Sequence, residues 1–160
     1  MNARMSSTAS RLLAICLFAG CCSAADLSAA FGSYKRYLDE PNSATYGGSI
    51  RIPLARRWSV RPEVLVDNGR NFSNVLALGS VMFDFTDPDK RAVGYAVFSA
   101  GTVQTLDQRI SFSASHWLGA GGAGVRFALS EHWIAAAEMR VGMPAFPLIT
   151  FNLGYRWGRR

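Results

Sequence analysis

The chain has 160 residues, of which 49% are hydrophobic and 18% are charged, and its formal net charge at pH 7 is +6. This length fits one domain and leaves little room for a second. The basic residues form no run with interleaved aromatic side chains, so a nucleic-acid partner is not expected.

The first part of the chain has the organisation of a secretory signal peptide. Arg4 and Arg11 give it a positive start, an apolar stretch follows, and small residues precede Asp26. The apolar stretch is far shorter than the ~20 residues that a membrane-spanning helix needs. We therefore predict a cleaved signal peptide at 1–25 and a single mature domain at 26–160, whose formal charge is +4 after loss of the two arginines.

All three cysteines, Cys16, Cys21 and Cys22, lie inside the predicted signal peptide. The mature domain would therefore have no disulfide, although it folds in an oxidising compartment. Residues 18–21 also loosely resemble a lipoprotein cleavage box, in which Cys21 would be acylated. This alternative adds an anchor and leaves the domain unchanged.

Beyond residue 25 the sequence predicts eight β-strands. Apolar residues recur there with a period of two, and we find no helix-length stretch with a 3.6-residue period. The predicted strands cover 26–34, 45–54, 58–67, 73–85, 91–103, 117–129, 132–141 and 148–157.

The last predicted strand shows the alternation most clearly. One side of it carries Ile149, Phe151, Leu153, Tyr155 and Trp157. The other side carries Thr150, Asn152, Gly154 and Arg156. Because successive side chains of a strand point to opposite faces, one face is apolar and the other polar.

Two local features oppose this pattern. Pro62 lies in the middle of the third strand and cannot donate a ladder hydrogen bond, so we expect a β-bulge there. Four glycines between residues 119 and 124 weaken the sixth strand, because glycine has no side chain to pack. This glycine-rich stretch precedes no helix, and we expect no nucleotide-binding loop in it.

The predicted connections differ between the two ends of the strands. At one end they are short turns, at 55–57, 86–90 and 130–131. At the other end they are mostly longer and more polar, up to the connection between Val103 and His116. Short turns on one side, longer loops on the other and an even strand count are typical of outer-membrane barrels, whose termini lie at the periplasmic, short-turn end.

Aromatic residues cluster at the strand ends, which favours apolar faces that look towards lipid. At the short-turn end we expect a girdle of Trp58, Phe85, Trp133, Tyr155 and Trp157. A second girdle at the opposite end would contain Tyr46, Phe72, Trp117 and Phe146. Aromatic residues that only fill a core would be scattered along the strands.

The polar faces carry charges of both signs. The bore of an eight-stranded barrel is just wide enough for side chains to fill it, and an unpaired charge there is costly. Arg51, Asp84 and Arg126 lie on such faces. We predict an ion-pair network that fills the bore and is formed by Arg61, Glu63, Glu138, Arg140 and Arg156.

The signal peptide, the eight alternating segments and the closing strand at 151–157 resemble the small outer-membrane barrels of the OmpA/OmpX type. Residues 129–133, followed by Glu138-Met139-Arg140, resemble the last hairpin of that family. The chain departs from the family where Gly158-Arg159-Arg160 follow Trp157, and where Asn152 replaces the usual glycine.

This resemblance implies an all-β fold, an eight-stranded antiparallel up-and-down transmembrane barrel in the outer membrane of a Gram-negative bacterium. Its surroundings would be outer-membrane lipid and lipopolysaccharide, and the barrel-assembly machinery would be its partner during biogenesis. The function we expect is non-enzymatic: a structural role, or surface interaction through the extracellular loops.

We predict no catalytic, cofactor or metal site, because His116 and His132 lie in separate connections without cysteine partners. Two other functions stay open. One is an outer-membrane lipid A acyl hydrolase that uses His116 and a nearby serine, Ser113 or Ser115. Such catalysis needs the histidine within hydrogen-bond reach of the serine hydroxyl. The second is a soluble periplasmic lipocalin-like barrel that binds a small apolar ligand.

Overall fold

The computed structural model describes residues 25–34, 43–68, 72–107, 112–143 and 146–157. The predicted signal peptide lies outside these residues except for Ala25, which begins the first strand. Its cleavage and the acylation of Cys21 therefore stay predictions.

Eight antiparallel strands form a closed barrel in which each strand pairs with the next in the chain. The eighth strand pairs with the first from Ala25↔Trp157 to Tyr34↔Leu148. The strands are β1 (Ala25–Tyr34), β2 (Ser43–Pro53), β3 (Trp58–Asn68), β4 (Phe72–Asp84), β5 (Ala92–Asp107), β6 (Phe112–Ala128), β7 (Trp133–Met143) and β8 (Phe146–Trp157). The predicted up-and-down barrel is confirmed.

The hairpin of β5 and β6 is longer than the sequence predicted. Its strands have 16 and 17 residues and stay paired as far as Asp107↔Phe112. The expected long connection between Val103 and His116 was therefore wrong. In this stretch Val103 and Thr105 are buried whereas Gln104 between them is exposed, so the strand keeps one inner and one outer face.

The two ends of the barrel also differ less in connection length than expected. The turns at one end are 54–57, 85–91 and 129–132, and the connections at the other end are 35–42, 69–71, 108–111 and 144–145. Only 35–42 is longer than every turn, so the expected contrast between short turns and long loops was mostly wrong. β1 begins and β8 ends at the turn end, as predicted.

Pro62 lies in β3 without the expected bulge. The register from β3 to β4 continues through Pro62↔Gly79, and the register from β2 to β3 is the same on both sides of a short gap. In that gap Ile50 and Arg51 have no ladder partner on β3. An interrupted ladder towards one neighbour accommodates the missing N–H of proline without an extra residue.

Among the described residues, no helix is long and apolar enough to cross a membrane.

Candidate functional site

The barrel wall separates charge from apolar surface. Within the described strands, every charged side chain whose burial is defined lies on the interior face, and Arg156 alone of these is only partly buried. The set is Asp26, Arg51, Arg61, Glu63, Asp67, Asp84, Arg126, Glu138, Arg140 and Arg156. The outer face exposes large apolar side chains instead, such as Val64 at 47%, Leu153 at 48% and Phe98 at 66%.

Aromatic side chains meet on the outside near the turn end. Trp58 lies opposite Phe83, with ring centroids 4.8 Å apart, and Trp133 contacts the edge of Tyr155 at 5.6 Å. Phe85 is 6.1 Å from Phe83. Trp157 ends β8 at the same level, opposite Ala25 in β1. The five residues of the first predicted girdle thus share one end of the barrel, and their contact with lipid head groups stays a prediction.

The second predicted girdle is only partly described. Tyr46 and Trp117 are exposed on the outer face at 45% and 82%, whereas the side chains of Phe72 and Phe146 lie outside the described part. Phe31, Phe98 and Phe151 also face outwards, between the two ends, and belong to neither predicted girdle.

The interior holds two groups of ion pairs. The first, called the turn-end cluster, consists of Asp26, Arg51, Asp84, Arg126 and Arg156. Arg51 bridges the two aspartates, with 3.0 Å to each carboxylate, and Arg126 donates to Asp84 at 3.0 Å. Arg156 donates to Asp26 at 2.9 Å. Five strands contribute one residue each, so these contacts tie distant parts of the chain together.

The second group, called the central cluster, lies one layer deeper and crosses the bore. Arg61 and Glu63 come from β3, and Glu138 and Arg140 come from β7, on the opposite side of the barrel. Arg61 donates to Glu138 at 2.8 Å, and Arg140 donates to Glu63 at 2.7 Å and to Glu138 as well. Tyr95 on β5 donates its hydroxyl to Glu138 at 2.9 Å.

The predicted network therefore holds four of its five residues together, and the fifth is misplaced. Arg156 is part of the turn-end cluster and pairs with Asp26. Sequence alone could not fix this, because the strand tilt and stagger of a closed barrel set the level of each residue. The sequence placed Arg51, Asp84 and Arg126 on polar faces, which is the pattern expected of ions inside the barrel. It did not identify Asp26 as a member of an ion-pair group.

Above the central cluster, towards the loop end, the interior becomes apolar. The buried side chains of this layer are Ala30, Leu65, Leu76, Leu78, Val103, Leu118 and Leu148. The sequence interpretation expected a polar interior and did not predict this layer. In β4 the layer could not be predicted because Leu76, Ala77 and Leu78 are consecutive apolar residues. Both faces of the strand are apolar there, so no alternation shows which face lies inside.

A small polar group lies beyond the apolar layer, near the loop end. Thr105 donates to Asn74 at 2.8 Å, and Asn74 donates to Asp67 at 2.9 Å. All three are buried. From turn end to loop end, the interior thus has two ionic layers, one apolar layer and one polar layer.

The residues of the hydrolase alternative do not form a catalytic arrangement. His116 and Ser115 are consecutive on β6 and therefore point to opposite faces, and the side chain of Ser113 lies outside the described residues. His116 lies opposite Val103 in the β5–β6 ladder. No group of three metal-ligating side chains occurs within the described chain.

One ion pair links two turns at the turn end. Arg56 donates to Asp87 at 2.7 Å across the gap between turns 54–57 and 85–91. This hydrogen bond, followed by that from the Asp89 amide, lowers the pKa of the Asp87 carboxyl below its ordinary value. Both side chains reach water, so the pair adds little stability.

No protein-family profile and no curated protein sequence matches the chain. Solved structures do resemble it. The N-terminal β-barrel domain of OprF from Pseudomonas aeruginosa superposes with a TM-score of 0.70 at 13% identity, over 85% of this chain and 98% of that one. Neisserial surface protein A (NspA) gives 0.66 at 11% identity, over 85% and 96%.

The attachment invasion locus protein Ail of Yersinia pestis is also similar, with a TM-score of 0.53 at 17% identity, over 85% of this chain and 99% of that one. These identities are low, so the comparisons bear on the fold. The chain has the closed, eight-stranded antiparallel fold of the small outer-membrane barrels.

Proposed function

We propose that this chain is a non-enzymatic integral protein of the Gram-negative outer membrane, with a filled bore and a structural or surface-interaction role. One observation carries the membrane assignment. The outer wall of the barrel is apolar, and the described strands place their ions inside. Burying Phe98, Phe151 and their neighbours in lipid removes this apolar surface from water, whereas a soluble barrel would expose it.

The same observation argues against a soluble lipocalin-like barrel. Such a barrel presents polar side chains to water and keeps an apolar ligand site inside. Here the central part of the interior contains Arg61, Glu63, Glu138 and Arg140. A ligand would have to displace ion pairs that have no access to water.

Packing within the bore supports the proposal that it does not conduct. The central cluster spans the interior from β3 to β7, and Leu65 and Leu76, both at 0% exposure, fill the layer above it. An eight-stranded barrel is narrow enough for side chains to block it. A general diffusion pore is therefore not part of this function.

The loop end supports a surface role. Past the last β6–β7 pair, Gly119↔Met143, residues Phe112–Leu118 of β6 continue along β5 alone. Membrane strands of a barrel need about 9–11 residues, and β5 and β6 have 16 and 17. We infer that this hairpin rises above the membrane surface, where it is accessible to extracellular partners.

Lipid, lipopolysaccharide and the barrel-assembly machinery remain proposed partners. The first two would surround the apolar wall, and the third would insert the chain. Trp157 is followed by three further residues, so the aromatic at the end of β8 is not the last residue of the sequence.

Fractionation tests the membrane assignment. The full-length chain is expressed in a Gram-negative host, and the membranes are washed with urea. We expect the protein in the outer-membrane pellet, with a mobility on gels that shifts on boiling, as a folded barrel resists detergent. Recovery in the soluble periplasmic fraction would exclude the proposal.

Two further measurements test the finer claims. The refolded protein in planar bilayers should give at most small, rare openings, and steady large conductance from monomers would exclude the filled bore. Lipid A incubated with the refolded protein should keep all its acyl chains. Loss of an acyl chain that the His116→Ala variant abolishes would establish the hydrolase alternative instead.

A further inference from the structure

A cavity of about 20 Å³ lies inside the barrel, between the turn-end cluster and the central cluster. Arg51 and Arg126 line it from one cluster, and Arg61 lines it from the other. The rest of the wall is polar at Ser28, Ser49, Tyr95 and Asn152 and apolar at Met82, Ile134 and Ala136. A space of this size holds about one water-sized particle.

The cavity wall is rich in hydrogen-bond donors and has no carboxylate. Three guanidinium groups and two serines contribute to it, whereas no Asp or Glu does. Each guanidinium keeps its positive charge at any pH that a protein tolerates. The wall therefore suits a particle that accepts hydrogen bonds and carries negative charge.

Two buried side-chain atoms of residues that line the cavity have no hydrogen-bond partner among the described residues. They are Nε of Arg61 and Oδ1 of Asn152, on side chains of residues that are 4% and 7% exposed. A buried donor without an acceptor destabilises the fold. The amide of Asn152 can turn by half a rotation, which offers its NH₂ group to the cavity and its oxygen to the Thr150 hydroxyl.

The balance of charges inside the barrel also favours a bound anion. Between the turn end and the apolar layer, five arginines face four carboxylates, an excess of one positive charge in which the partly buried Arg156 is included. The arginines are Arg51, Arg61, Arg126, Arg140 and Arg156, and the carboxylates are Asp26, Glu63, Asp84 and Glu138. A single monovalent anion would balance this excess, and uncompensated charge in such an interior is costly.

We propose that this cavity is a binding site for one small monovalent anion of the size of chloride, coordinated by Arg61 Nε and by the Arg51 and Arg126 guanidinium groups. The anion would join the two ionic clusters. It would be taken up as the barrel closes and would stabilise the folded state.

Diffraction locates the ion directly. Crystals of the full barrel grown or soaked in sodium bromide should show one anomalous peak inside the cavity. A cavity that contains ordinary water density and gives no anomalous signal would overturn the proposal.

Unfolding supplies a second, independent readout. Urea unfolding in lipid vesicles is measured at fixed ionic strength while chloride replaces methanesulfonate, an anion too large for the cavity. If one ion binds only the folded state, the unfolding equilibrium constant falls by up to about tenfold for each tenfold rise in chloride above its dissociation constant. An equilibrium constant that does not change with chloride would contradict the proposal.

Arg61→Lys keeps the charge beside Glu138 and removes the Nε donor, so it should flatten the chloride dependence. Arg56→Lys, on an exposed side chain at the turn end, is the matched control and should keep it. An equal chloride dependence in both variants would show that the effect is not located in the cavity. If Arg61→Lys does not fold, the bromide peak of the unmodified chain still decides.

Discussion

The ring of Tyr95 on β5 occupies the space that a side chain at Gly124 on β6 would fill. The two residues are direct partners in the register, and a Cβ atom built on Gly124 would lie 2.6 Å from the hydroxyl oxygen of Tyr95. This close approach lets the Tyr95 hydroxyl reach Glu138 at 2.9 Å. A glycine on the barrel wall thus positions a donor of the central cluster.

Gly124→Ala should destabilise the barrel by about 1–3 kcal/mol, because the added methyl group overpacks the site and displaces the ring. The backbone oxygen of Ala137, 2.8 Å from the built Cβ atom, limits relief by a shift of β6. The measurement is urea unfolding in lipid vesicles. Gly119→Ala is the matched control, since no atom lies within 4 Å of a Cβ atom there.

The hydrogen bond to Glu138 can be separated from the overpacking by a second substitution. Tyr95→Phe should cost less stability in the Gly124→Ala background than in the unmodified chain, because the bond is already broken there. Equal costs in the two backgrounds would show that Gly124 does not control the position of the tyrosine.

The fold followed from the sequence because its signal is local and repeated. In β8 the apolar side chains from Ile149 to Trp157 alternate with polar ones, and the structure places the two sets on opposite faces. A single alternating strand is compatible with many folds. Eight such strands separated by turn residues are compatible with few architectures other than a β-barrel or a β-sandwich. The long β5–β6 hairpin was missed because the polar residues of its strands have the same composition as a loop.

The interior was harder to predict, for a different reason. Arg61 and Glu138 are 77 positions apart in the chain and meet across the bore. Their contact depends on the stagger accumulated over four successive strand pairs, which no local pattern encodes. The sequence indicates the type of each residue and the face of the strand on which it lies. It does not indicate the level of that residue along the barrel axis.

Arginine at Val64 or Leu153 should impair folding into bilayers. Both side chains face outwards, at 47% and 48% exposure, and Val64 lies near the middle of its strand. Arginine at the midplane of a membrane barrel costs about 2–4 kcal/mol and much less near the interfaces. Leu54→Arg, in an exposed turn at the barrel end, is the control and should be nearly neutral. A soluble barrel would tolerate all three substitutions.

Leu76→Ala should lower the free energy of unfolding by about 2–5 kcal/mol, as expected for a cavity in a packed core. Leu76 is 0% exposed within the apolar layer. The control is Val81→Ala on the same strand, whose side chain faces outwards at 44% exposure and should be affected much less. Equal losses at both positions would show that the layer inside the bore is not packed.

The two ionic clusters make a sharp prediction about coupling. Glu138→Gln and Arg61→Gln should each destabilise the barrel by roughly 3–5 kcal/mol, because each leaves a buried charge without its partner. The double variant should cost less than the sum of the two, since the contact at 2.8 Å is lost only once.

Arg156→Gln is the control for this cycle. Arg156 pairs with Asp26 in the turn-end cluster, so its effect should add to that of Glu138→Gln within about 0.3–0.5 kcal/mol. The three single and two double variants are compared by urea unfolding in vesicles of one lipid composition. Strong coupling of Glu138 to Arg156 would mean that the levels of the strands differ from those described. Additivity in both pairs would mean that water reaches the bore and screens these charges.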